Sequence, residues 1–133
     1  MRLAASLALY LLAGAATAAE QSFLFDALRS HSYRAAWDRL MKSVDPTPDW
    51  LMHFNRNFDG ASGEMLEIKI EGKPYQISWV CEPTDCAEHK FVVLFDAGGE
   101  HAWAGLGGKD SLPAFYGAPP PALQEALAGG FQK

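Results

Sequence analysis

The feature that most limits the fold is the close spacing of four strand-like segments between Leu66 and Leu106. Leu66-Glu67-Ile68-Lys69-Ile70-Glu71 alternates apolar and polar residues without a break, the period of a strand with one buried face. Gly72 and Lys73 supply a turn, and strand-like segments follow at Tyr75 to Val80, Lys90 to Phe95 and, after Gly98-Gly99, His101 to Leu106. A parallel crossover needs roughly a dozen residues or more, longer than any of these gaps. The segments therefore predict antiparallel neighbours in one sheet.

Helical periodicity flanks this block. Ser32 precedes Ala36, Trp37, Leu40, Met41 and Val44, which recur at helical spacing, and Pro46 and Pro48 end the run. A shorter helix is predicted over Phe23 to Arg29, and a loop over the stretch holding Asn55, Asn57, Asp59, Gly60 and Gly63. Pro119 to Pro121 open a last helix through Leu123 and Leu127, stopped by Gly129 and Gly130. The expected class is α+β, an antiparallel sheet with helices packed on one face. Trp37, Leu40 and Met41 are expected to meet Leu66, Ile68, Ile70 and Ile77 in the core. For Trp50, Trp79 and Trp103 core placement is the default, with exposed interface anchors as the alternative.

The N-terminus carries its own instruction. Arg2 gives a positive start, Leu3 to Ala13 an apolar run and Ala16-Thr17-Ala18 a small-x-small site, the order of a cleavable export signal. The run is shorter than the ~20 residues of a membrane helix, so no membrane anchor is expected. Residues 1–18 read as signal peptide and 19–133 as a single domain, periplasmic in a Gram-negative host. The whole chain has a net charge of −5, and Arg2 leaves with the leader. That balance argues against nucleic acid and suits a basic partner, although acidity also serves plain solubility.

Chemistry-bearing residues are sparse. His31, His53, His89 and His101 lack the spacing of a zinc site, no serine sits in a nucleophile-elbow setting, and no carboxylate pair stands out. No catalytic residue, metal or cofactor is expected. The informative stretch is Cys81-Glu82-Pro83-Thr84-Asp85-Cys86, between two predicted strands. In an oxidising compartment Cys81 and Cys86 should form a disulfide. Four residues separate them, rather than the two of a thiol-redox motif. Closing so short a loop stabilises a fold by only about 2 kcal/mol. Shape is the stronger reason for the bridge, because Pro83 fixes its own φ and extends Glu82, and a pre-rigid loop avoids ordering entropy on binding. An ordinary hairpin staple without a partner is the competing reading.

This segment resembles the inhibitor of vertebrate lysozyme (Ivy) family, exported bacterial proteins marked by a disulfide-closed Cys-Lys-Pro-His-Asp-Cys loop after a strand. Pro48-Asp49-Trp50-Leu51 is similar to the family's Leu-Pro-Ala-Trp-Val segment, and Tyr75-Gln76 leads toward the cysteines as the family's Tyr-Gln does. The strand from Phe91 to Asp96, Gly105-Leu106 and the ending Gly130-Phe131-Gln132-Lys133 are placed similarly, while Lys109 to Pro121 is shorter than its counterpart. The resemblance implies a non-enzymatic inhibitor that pushes the loop Glu82, Pro83, Thr84, Asp85 into the active-site cleft of a C-type lysozyme. It also leaves a homodimer open, for which an exposed edge strand would give a route. Thr84 stands at the family's histidine and Glu82 at its lysine. Threonine donates one hydrogen bond but cannot become cationic, and Glu82 adds negative charge where lysozyme has two carboxylates. The alternative partner is therefore another peptidoglycan-cleaving enzyme, such as a lytic transglycosylase, which relies on one carboxylate. Asp85 is expected to accept backbone N–H bonds that hold the turn.

Overall fold

The computed structural model describes residues 22–132, so the expected export signal lies outside the described residues. Among the described residues three helices come first, α1 (Leu24–Ala27), α2 (His31–Ser43) and α3 (Asp49–Asn57). Five strands follow, β1 (Leu66–Ile70), β2 (Lys73–Cys81), β3 (Lys90–Asp96), β4 (Ala102–Gly107) and β5 (Ala114–Tyr116). Helix α4 (Pro121–Gly129) and a 3₁₀ turn (Gly130–Gln132) close it. The strands lie in sequence order, each antiparallel to the next, as the short connections require.

Strand β3 organises the core. Phe91, Val93 and Phe95 join one apolar cluster, with Trp37, Leu40, Leu51 and Phe54, whereas Val92 and Leu94 join another, with Leu123, Leu127 and Phe131. An unbroken apolar run from Phe91 to Phe95 is what a strand covered on both sides needs. Helical cover is accordingly wider than the single face expected. Helices α1 to α3 pack on one face and α4 with its 3₁₀ turn on the other.

This arrangement corrects the expected core pairing. Ile68, Ile70 and Ile77 lie with the α4 cluster, not with Trp37, Leu40 and Met41, and Leu66 is exposed. Alternation tells which residues share a face, but not which of two covered faces they share.

Helix α3 replaces much of the loop expected around Asn55 and Asn57. Pro48 stands at its N-cap, Asp49 lies in its first turn, and Leu51 and Phe54 are buried one helical step apart. Asn55 has a reason to be there, since its Oδ1 accepts the indole N–H of the fully buried Trp37 at 2.7 Å. The helix ends at Phe58, in the left-handed region with φ 50°, its ring against Phe54 and beneath the Arg34 guanidinium. Trp50, Trp79 and Trp103 are all half-buried, packed on the core with part of each ring open to solvent.

Candidate functional site

The connection from β2 to β3 is held mainly by its own bonds. Cys81 is buried as the last residue of β2, and its disulfide to Cys86 brings the two Cα atoms to 4.9 Å. Within the closed ring the Asp85 N–H donates to the Glu82 carbonyl at 3.2 Å, making a turn over residues 82–85. The Glu82 N–H donates to the His89 carbonyl at 2.9 Å, and the His89 N–H donates to the Asp85 carbonyl at 3.1 Å. Anchors at the base come from Cys81 N–H to the Ala61 carbonyl, 3.0 Å, and Lys109 N–H to the Ala87 carbonyl, 2.8 Å. Pro83, Thr84 and Asp85 are exposed above this base.

The six residues singled out in the sequence are thus brought together as one closed loop. Asp85 serves the turn differently from expectation. Its main chain makes the turn bonds, while its carboxylate faces His89, with Oδ2 3.7 Å from Nε2. Glu82 approaches the same imidazole from the other side, Oε2 to Nε2 3.8 Å. The spacing of Asp85 and His89, four residues apart, was the one sequence signal for this contact. Lys90 follows directly in sequence. Its ammonium lies 5.3 Å from the centroid of the Trp79 ring, and burial lowers its pKa below the ordinary lysine value.

Trp50 extends the site beyond the loop. It stands on the first turn of α3 and lines two grooves that meet at Glu82. One, of about 260 Å³, runs beside Pro83 and Thr84 to His53 and Asp59; the other, of about 440 Å³, runs past Asp49, Glu88 and His89. The loop and the start of α3 therefore form one surface, with a half-buried tryptophan between two depressions.

The other histidines lie apart from one another. His31 opens α2, His53 is 3.5 Å from Asp59, and His101 Nδ1 is 2.6 Å from Asp96 Oδ2 at the far end of the sheet. Among the described residues no group of three or more His, Cys, Asp or Glu side chains could hold a metal ion. A separate apolar groove of about 290 Å³ between α4 and the sheet is lined by Leu66, Ile77, Trp79 and Val92, with Glu64 its one carboxylate. No helix among the described residues is long and apolar enough to cross a membrane.

Comparison with known proteins bears on this surface. The family model described as "Inhibitor of vertebrate lysozyme (Ivy)" matches residues 32–133, which include all of α2 but its first residue, helix α3, the whole sheet and the loop. A protein of Pseudomonas aeruginosa named inhibitor of vertebrate lysozyme is 32% identical over 80 residues, 60% of this chain and 50% of its own length. An uncharacterised protein of the same bacterium is 31% identical over 108 residues, 71% of this chain and 66% of its own. The chain thus matches about half to two-thirds of the length of these curated relatives. The family match covers most of the chain, including the sheet and the disulfide-closed loop between β2 and β3, and leads to one conclusion: this chain belongs to the inhibitor of vertebrate lysozyme family.

Proposed function

We propose that the protein is an exported inhibitor of C-type lysozyme, acting by steric occlusion and without turnover. The loop Cys81–Cys86 enters the active-site cleft, with Pro83 and Thr84 leading and the Trp50 surface of α3 meeting the rim. One observation carries this reading: the loop is closed by a disulfide and by its own turn bonds while Pro83, Thr84 and Asp85 stay exposed. A segment ordered before contact loses little entropy on binding, so its few exposed groups can count toward affinity. At the tip Thr84 offers one hydroxyl donor to a cleft that holds carboxylates. The test is a titration of lysozyme activity on bacterial cell walls with the native protein and with Thr84→His. Inhibition by the native protein at sub-micromolar concentration supports the reading. Absence of inhibition by both, with fold and disulfide intact, refutes it.

A second reading is favoured by one specific feature, the two carboxylates Glu82 and Asp85 on the exposed loop. They suit a peptidoglycan-cleaving enzyme with a single catalytic carboxylate better than one with two. Inhibition by Thr84→His but not by the native chain would select this reading, and a lytic transglycosylase would be the next enzyme assayed.

A further inference from the structure

The loop that is to enter a carboxylate-lined cleft carries two carboxylates and no cation of its own. We propose that His89, outside the disulfide ring, is the positioning residue that offsets part of this charge, so that binding of a C-type lysozyme strengthens as His89 is protonated. The proposal rests on the function read above and assigns a determinant of affinity to a residue beyond the loop.

Three observations carry it. His89 Nε2 sits almost equidistant from Glu82 Oε2 and Asp85 Oδ2, at 3.8 and 3.7 Å, so a protonated ring meets both carboxylates at once. The backbone that carries the ring is tied to the loop, because the His89 main chain bonds to Glu82 at one end and Asp85 at the other. The remaining charged groups along the groove that His89 lines are carboxylates, Asp49 from α3, Glu82 from the loop and Glu88 from the same turn. Lys90, next in sequence, has its ammonium 5.3 Å from the centroid of the Trp79 ring, and Lys109 donates its main-chain N–H to the Ala87 carbonyl.

Histidine is the side chain whose ordinary charge change falls between about pH 5 and 8. With the ring cationic, one of the two negative charges of Glu82 and Asp85 is offset, and the loop presents less negative charge to the enzyme's own carboxylates. With the ring neutral, both loop charges face them, and like charges in a partly desolvated cleft oppose binding. Affinity should therefore fall as pH rises.

The test is calorimetric binding of a purified C-type lysozyme at about pH 5.5 and about pH 8, using the native protein, His89→Gln and Glu82→Gln. Because the enzyme's own carboxylates titrate too, the difference between variants is the readout. We expect the native protein to bind about tenfold more weakly at the higher pH, and His89→Gln to bind weakly at both, with a slope under about twofold. Glu82→Gln should bind well at both, and in that background His89→Gln should cost little. If His89→Gln keeps the native slope, or loses affinity equally at both pH values, the proposal is overturned while the inhibitor reading stands. If the native protein binds at neither pH, the inhibitor reading itself fails and takes this proposal with it.

Discussion

The two connections at opposite ends of β3 are built to different plans. The turn from β3 to β4 is fastened to the rest of the molecule. Ser32 Oγ donates to the Gly98 carbonyl at 2.9 Å, an Arg39 N–H donates to the Glu100 carbonyl at 2.6 Å, and Gly99 sits against the Tyr33 ring. Asp96 ties it from within, accepting the His101 N–H at 2.9 Å on one oxygen and meeting its imidazole on the other. The connection from β2 to β3 is hydrogen-bonded to the body at its base, through Ala61 and Lys109, and is held above that by its disulfide and turn bonds. Rigidity borrowed from the fold leaves the turn's conformation dependent on α2, even though Ala97, Gly98, Glu100 and His101 are exposed. Rigidity built into the loop itself leaves the tip free for a partner.

The contrast predicts opposite responses to mutation. At Gly99 (φ 69°) a Cβ would lie 2.6 Å from the Tyr33 ring, so Gly99→Ala combines left-handed strain with a clash. It should lower unfolding stability by about 3 kcal/mol in denaturant titration, with lysozyme inhibition by the remaining folded protein unchanged. Replacing both cysteines, Cys81→Ser with Cys86→Ser, should cost about 2 kcal/mol by the same measurement, yet weaken inhibition by tenfold or more as the loop loses its pre-set shape. If the double variant inhibits as the native protein does, closure is a staple and the contrast collapses.

Tyr33→Phe probes the fastened turn more gently. The Tyr33 hydroxyl donates to Gln76 Oε1, and its pKa is raised, first by burial and then by the negative charge of Asp96. A raised acid keeps its proton longer when folded, so its contribution is complete below about pH 10, the ordinary tyrosine value, and is lost as pH climbs through the folded value. The variant should cost about 1 kcal/mol at neutral pH and show a shallower fall in stability above pH ~10. At the loop tip Thr84→Ala should move stability by less than about 0.5 kcal/mol, since an exposed residue off the core carries little of it. Its whole effect should appear in inhibition.

What the sequence showed and what it hid follow from the range of each signal. The alternation from Leu66 to Glu71, the apolar run from Phe91 to Phe95 and the cysteine spacing are local patterns, and strands and disulfide stand where those patterns put them. Helix α3 was obscured because Asn55 and Asn57 read as loop residues, while the reason for Asn55, a bond to the Trp37 indole eighteen positions earlier, exists only in the fold. Strand β5 is three residues long and carries no period to read. The loop itself was legible, since six consecutive residues define it. Its neighbours were not, because Trp50 reaches it from another helix and His89 only through a turn whose bonds require the fold.

In the proposed mode of inhibition the closed loop occupies the cleft where lysozyme binds its glycan. Competition tests this directly, by measuring the affinity of the protein for a C-type lysozyme at increasing concentrations of a chitin oligosaccharide that fills the cleft. The account predicts mutual exclusion, with the apparent Kd rising in proportion to oligosaccharide once the cleft begins to fill. An affinity that stays constant with the cleft saturated would place the contact elsewhere on the enzyme and contradict the account.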